Sequence, residues 1–244
     1  MTFWLRFAAF FVVFCMVAAV FSVPNFQGAP KPTDAAEAAI PITVILDAGH
    51  GGEDGGAVSA SGIFEKDLNL AVTLKLRDLL TASGVHVVLT RSEDVLLYDR
   101  NVDFHGRKKA LDLAARRKIA EETPNAVFVS IHMNAFPQTQ YKGLQIWYSQ
   151  NHPASLLLAE TIQKMATDQL QPKNHRRAKA ATSSIYLLHK LNCPAVLVEC
   201  GFLSNSEEAA LLSTEDYQNR LALLLFLSII RGIEKIPPEF SKGS

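Results

Sequence analysis

Between residues 42 and 235, short β-rich runs alternate with segments of helical periodicity, and this alternation limits the fold more than any other feature of the chain. ITVILDAGH (42–50), VHVVLTR (85–91), AVFVSIH (126–132), LQIWYS (144–149) and AVLVECGF (195–202) carry the β-branched and apolar residues of strands. From Glu65 to Ser83, apolar residues recur at Leu68, Val72, Leu76 and Leu79, a helical spacing, and Gly84 is a natural stop. Further helices are expected over 107–122, 153–170 and 214–235. Strands separated by helices return to a sheet by crossovers. The expected fold is therefore α/β, a single layered domain with a twisted, largely parallel sheet flanked by helices.

The N-terminus follows a different pattern. Arg6 is the only charge between residues 2 and 23, and the run from Phe7 to Val23 is apolar throughout. That is close to the ~20 residues a helix needs to cross a bilayer, so residues 1–23 read as a signal-anchor or signal peptide. Residues 24–41, rich in Pro and Ala, read as a flexible tether. The expected layout is then a globular domain over 42–236 and a tail over 237–244, outside the cytoplasm and either membrane-anchored or secreted. The apolar core of the last helix, LALLLFLSII, is too short to span a membrane. With 24 Lys+Arg against 24 Asp+Glu, no net charge draws the chain to nucleic acid, and no nucleic-acid partner is expected. Three cysteines cannot build a disulfide scaffold.

In α/β sheets, functional groups gather where strands end. His50 closes the first run, within DAGHGGEDGGA; His132 closes AVFVSIH; Glu199 sits late in AVLVECGF; and Glu65 opens the first helix. Two histidines and a glutamate are a hydrolytic zinc set, leaving a coordination position for water. His50, Glu65 and His132 would be the ligands, and Glu199 the general base. Strand alternation puts Ser130, His132 and Asn134 on one face, and sets Glu199 with Leu197 against Val198 and Cys200. A glutamate in so apolar a run needs a cation or bound water nearby. Taken singly, a strand-end histidine is more often structural than a ligand; the combination points to metal. The Gly-rich loop lacks the phosphate-binding GxxxxGK[ST] order, and Glu53 and Asp54 would repel phosphate.

Four blocks in order, LDAGHGGEDGGA (46–57), EKDLNL (65–70), SIHMNA (130–135) and VECGFLSN (198–205), resemble the zinc-dependent N-acetylmuramoyl-L-alanine amidases of the amidase type 3 family. The resemblance runs from Ile42 to Ile233. It implies zinc held by His50, Glu65 and His132, catalysis by Glu199, and cleavage of the bond between muramic acid and the stem peptide of peptidoglycan. RKKALDLAARRKIAEE, HMNAFPQTQYKGLQIWYS and IYLLHKLNCPAVLVECGFLSN are similar to the short, membrane-anchored sporulation amidases of the CwlD type. That likeness implies stem-peptide removal in spore cortex ahead of muramic-δ-lactam formation, with the membrane reached through the N-terminal segment and a helper lipoprotein as a further partner. Some divisome relatives carry an inserted helix that plugs the zinc site. The short stretch between His132 and Glu199 leaves no room for one. Readings from other classes are a cell-wall zinc peptidase and a non-catalytic peptidoglycan-binding protein.

Secondary expectations attach to other residues. Asn134 is a substrate-binding candidate or a loop cap. Asp47 is expected to orient His50 by accepting its ring N–H. Arg91 and Arg116 read as surface or core-edge salt bridges rather than substrate contacts. Cys200 reads as a small core residue, and KNHRRAK (173–179) as a solvated loop, with an anionic glycan or lipid surface as the alternative.

Overall fold

The structure, a computed structural model, describes residues 41–99, 101 and 105–237. The signal or anchor reading of 1–23, most of the tether and nearly all of the tail lie outside the described residues. Thr43–Ala48 (β1), His86–Leu89 (β2), Ala126–Asn134 (β3), Gln145–Tyr148 (β4), Lys179–Ala180 (β5) and Ala195–Phe202 (β6) form one sheet, in the order β2-β1-β3-β6-β4-β5. β1 pairs in parallel with β2 and β3, and β3 in parallel with β6. β4 runs antiparallel to β6 and carries β5 beside it in parallel. The sheet is thus largely parallel, with a reversed edge. β5 has only two residues and begins at the last residue of the basic stretch, where no hydrophobic pattern announces it.

The helices are Glu65–Ala82 (α1), Lys108–Glu122 (α2), Pro153–Gln169 (α3), Tyr186–Lys190 (α4), Ser206–Leu212 (α5) and Glu215–Ile233 (α6). A sheet covered on both faces needs strands that are largely apolar, and β1 and β6 are so built, apart from Thr43, Asp47 and Glu199. On one face Val129, Ile131 and Val198 pack with Val72 of α1, Leu158 of α3 and Leu225 of α6. Each fully buried Leu, Ile or Val contributes about 1.5–3 kcal/mol relative to exposure, so this face supplies most of the stability. α6 keeps its stripe in register through Leu221, Leu225, Ile229 and Gly232. A Cβ at Gly232 would lie 2.6 Å from Leu158 Cδ1, so glycine is what allows α3 and α6 to pack this closely. Cys200 is fully buried in this core, as expected. Among the described residues, no helix is long and apolar enough to cross a membrane.

The opposite face is thinner. Ile45, Phe128, Ala195 and Leu197 lie under Ala120 of α2 and under Leu187, Leu188 and Leu191 in and beyond α4. Above this small cluster the same face turns polar. Asp47, Ser130, His132 and Glu199 take over at the C-terminal ends of β1, β3 and β6.

Candidate metal centre

The centre is assembled by three strand ends and one helix start. β1 stops at Ala48, and His50 stands two residues beyond it, not at its closing position. Gly49 N still donates to Ile131 O at 3.1 Å, after which Gly51 and Asp54 exchange backbone bonds and close a tight turn. His50 adopts φ 61 there, a left-handed conformation uncommon outside glycine. β3 continues past His132 to Asn134, with a register irregularity between them that re-aims the strand end. Glu65 is the first residue of α1, where the helix dipole favours a carboxylate.

These residues converge. Glu65 Oε1 lies 2.8 Å from His132 Nδ1 and 3.2 Å from His50 Nε2. It also accepts from Met133 N at 3.1 Å, while Oε2 accepts from Ala57 N at 2.8 Å. The rings of His50 and His132 meet edge-on with centroids 4.9 Å apart. One ligand atom from each of His50, Glu65 and His132 falls within 4.8 Å of the others. Glycines make the room: a Cβ at Gly49 would lie 2.2 Å from the His132 ring, and one at Gly56 would lie 2.5 Å from Glu65 Oε2.

The site favours positive charge. Burial pulls His50 down, but Asp54 and Glu65 outweigh it and push the imidazole up to about 9. Burial also raises Glu65, yet the two histidines drive it well below the usual carboxylate range. Glu199 lies directly across from His132 in the β3–β6 register. Burial above all pushes it up to about 7, His132 opposing and Glu65 reinforcing. Its Oε2 is buried with no hydrogen-bond partner among the described residues. A buried, unpartnered carboxylate oxygen beside a His–Glu–His cluster fits a cation and its water. The donor set suits zinc.

Beneath the centre the arrangement differs from expectation. Asp47 does not bind His50; it accepts from Thr90 Oγ1 at 2.7 Å, Ser130 Oγ at 2.6 Å and Arg116 Nη1 at 2.6 Å. Asp47 belongs to the strand and points with Ser130 into the sheet face, whereas His50 has already left on the turn. The carboxylate beside His50 Nδ1 is Asp54, at 3.0 Å and four residues on, as the tight turn brings i and i+4 together. Arg116 is an ion-pair residue, but its side chain is only 2% exposed, in the interior and not at the surface. Among the described residues Arg91 forms no ion pair; it donates to the carbonyls of Ala48, Gly49, Glu93 and Lys66 and so fastens the loop. Asn134 is half-buried at the end of β3, with its carbonyl accepting from Leu203 N at 2.7 Å.

A cleft of about 260 Å3 opens over the centre, lined by His50, His132 and Glu199 and roofed by Lys109 and Leu113 of α2 and by Tyr186 of α4. Sequence reading did not single out Asp54, Lys109 or α4. Only Asp54, four residues after His50 in the glycine loop, left a signal. Between His132 and Glu199 the described elements are β4, α3, β5 and the five-residue α4.

Comparison with known proteins points to one family. Residues 44–234 match the family model described as N-acetylmuramoyl-L-alanine amidase. A germination-specific N-acetylmuramoyl-L-alanine amidase of Bacillus subtilis is 36% identical over 198 residues, covering 80% of this chain and 82% of the relative. The CwlD amidase of Clostridioides difficile, solved in complex with the GerS lipoprotein, superposes with TM-score 0.74 at 42% identity, covering 79% of this chain and 98% of that one. The catalytic domain of CwlV, an N-acetylmuramoyl-L-alanine amidase from Bacillus (Paenibacillus) polymyxa var. colistinus, superposes with TM-score 0.64 at 31% identity, covering 80% and 99%.

Proposed function

The chain belongs to the N-acetylmuramoyl-L-alanine amidase family, and we propose that it works with zinc held by His50, Glu65 and His132 and with Glu199 as the proton carrier. It is a peptidoglycan amidase of the CwlD type, and its substrate, the cell wall, lies outside the cytoplasm. One observation carries the mechanistic reading: Glu65 Oε1 sits between the rings of His50 and His132, across the strand pair from an unpartnered Glu199 oxygen.

A zinc ion bound there supplies Lewis acidity that polarises the amide carbonyl and acidifies water. The chain does the rest. Glu199 takes the proton of the attacking water and returns it to the departing alanine nitrogen, giving a peptide-free muramyl glycan and a peptide beginning with L-Ala. Its raised pKa suits a group that must both accept and donate near neutrality. Asp54 and Glu65 keep the His50 edge electronegative and favour a cation. Asn134 serves as a hydrogen-bonding contact to substrate.

The biological setting is proposed from the relatives. The Bacillus subtilis relative is named as germination-specific, and the CwlD structure contains a lipoprotein. Together with the apolar run at residues 7–23, they support a membrane-tethered enzyme of spore cortex, acting ahead of muramic-δ-lactam formation with a lipoprotein helper. Incubating the full-length protein with purified peptidoglycan, with zinc or with a chelator, tests the activity. Mass spectrometry is expected to find L-Ala-initiated peptides and peptide-free muramic acid only with zinc. Peptides cut internally would make it a peptidase; intact peptidoglycan with zinc bound would make it a binding protein.

A further inference from the structure

Beside the segments that lead into β4 and β5 lies a second cavity, of about 580 Å3, that the chemistry above does not use. Arg176 organises it. The guanidinium carbon stands 4.6 Å from the centroid of the Phe202 ring, Nε donates to Lys142 O at 2.9 Å, and Nη1 donates to Gln145 Oε1 at 3.3 Å. The group is held in one orientation, yet it makes no ion pair with any described carboxylate. Glu208, which also lines the cavity, has both oxygens engaged, by Gly143 N at 2.9 Å and Phe202 N at 2.8 Å. Lys142, which also pairs with Glu207 at 4.0 Å, lines the same cavity with Lys173 and His175. Burial raises the Glu208 carboxyl and Arg176 partly offsets this electrostatically, yet Glu208 spends both oxygens on backbone N–H groups, so the planar guanidinium fork, which matches a carboxylate, is not bonded to it.

Position ties this cavity to the reaction. Gln145 pairs directly with Glu199 across β4 and β6. The two Cα atoms of such a pair are about 5 Å apart and their side chains share a face. Gln145 is the residue that Arg176 grips, so one strand and one side chain separate the guanidinium from the centre. An extended peptide advances about 3.3–3.6 Å per residue, which puts a carboxylate two or three residues beyond the scissile amide roughly 7–10 Å away.

We infer that this cavity, built around Arg176, is a carboxylate subsite that binds the acidic peptide part of the substrate while the scissile amide lies at the metal centre. The inference rests on the amidase reading. In the uncleaved substrate the lactyl carboxyl of the saccharide is tied up in the scissile amide, whereas the peptide carries free carboxylates. The basic stretch at 173–179 is therefore not simply a solvated loop: Asn174 is buried, and Arg176 is set to receive an anion.

The test uses full-length, zinc-loaded protein and muramyl peptides whose peptide carboxylates are free or amidated. Wild type is expected to show a KM about ten-fold lower for the free acid with similar kcat, as charge-assisted hydrogen bonds allow. Arg176→Gln should raise KM for the free acid by about ten-fold or more and erase the preference, and Arg176→Lys should restore part of it. Equal KM for the two substrates in wild type, or an unchanged KM in a folded Arg176→Gln variant, overturns the subsite. Should Arg176→Gln fail to fold, the double variant Lys142→Ala/Lys173→Ala decides, since both side chains are exposed. It must weaken the preference, or the subsite is wrong. If wild type cleaves neither substrate, the amidase reading fails separately. Calorimetry then judges the subsite by the binding of L-alanyl-D-glutamate against L-alanyl-D-glutamine. Preference for the acid that Arg176→Gln removes supports it; equal binding, or displacement by inorganic phosphate alone, overturns it.

Discussion

The carboxylate of Asp47 and the guanidinium of Arg116 meet at 2.6 Å with side chains 1% and 2% exposed, directly beneath the turn that carries His50. Arg116 also bonds a second buried carboxylate, Asp112, at 2.8 Å, and donates to the carbonyls of Ala48, at 2.8 Å, and His50, at 2.7 Å, so one interior cation fixes both the last residue of β1 and the backbone of a metal-ligand candidate. Removing the cation alone strands two buried anions. Arg116→Met is therefore expected to cost about 3–5 kcal/mol in urea unfolding and to weaken zinc binding, because the His50 carbonyl loses its anchor. An unfolding midpoint close to wild type would mean that the pair carries no such weight.

The same pair contributes to the acid limit of stability, beside Glu65 and Asp54, which their histidine partners also hold below the usual carboxylate range. Burial works to raise Asp47, but Arg116 and the hydroxyls of Ser130 and Thr90, with His132, hold it below the usual carboxylate value of 3.8. A carboxylate depressed in the folded state contributes stability that is complete above its unfolded pKa, about 3.9, and is lost as pH falls through the folded value. Wild type should thus lose stability steeply below about pH 4. Asp47→Asn should be less stable at pH 7 by about 3 kcal/mol and flatter across the acid range. Parallel acid profiles for the two proteins would show that Asp47 is not the group responsible.

Glu199→Gln keeps the shape of the side chain and removes its capacity to take a proton. Zinc content by mass spectrometry should stay at the wild-type level, because Glu199 is not among the clustered ligand atoms. Turnover should fall by about 10²–10⁴-fold, the range general-base catalysis supplies. Residual activity within ten-fold of wild type would remove Glu199 from the mechanism.

His50→Ala and His132→Ala should each abolish stoichiometric zinc binding, where Glu199→Gln does not. The remaining two ligands fall short of the three that a catalytic zinc site takes from protein. Chelation of wild type should eliminate activity, and added zinc should restore it. Metal content unchanged in either histidine variant would place the metal elsewhere.

Much of this was legible before any coordinates. The alternation grouped His132 with Ser130 and Asn134 along β3, and Glu199 with Leu197 along β6; the register that sets His132 opposite Glu199 came only with the fold. Glu65 was legible only in combination with the two histidines, because an acidic residue opening a helix is ordinarily explained by the helix dipole alone. What could not be read were the partners chosen by the third dimension. Asp47 and Asp54 are both carboxylates near His50, and only the left-handed turn at His50 decides that Asp54 reaches the ring while Asp47 turns inward to Arg116. Arg176 was hidden for a similar reason. In a run of basic residues nothing marks the one that stacks on Phe202, far along the chain in β6.

Gly49→Ala isolates the geometry of the centre from its chemistry. Gly49 does not occupy the positive-φ region, so alanine imposes no backbone penalty of that kind. The difficulty is space: the new Cβ would lie 2.2 Å from both Cε1 and Nε2 of the His132 ring and 2.7 Å from its Cδ2. Relief requires that the ring rotate away or that the β1 end shift, and either move separates His132 from Glu65. Overpacking of this kind costs about 1–3 kcal/mol, so the variant should still fold. Zinc affinity should nevertheless drop by about ten-fold or more, since misplaced ligands are costly to metal binding even when every ligand is present. Thermal unfolding together with zinc titration checks both halves. Wild-type zinc affinity in folded Gly49→Ala would mean that the His132 ring is free to bind in another orientation, and that close packing against β1 is not what holds it.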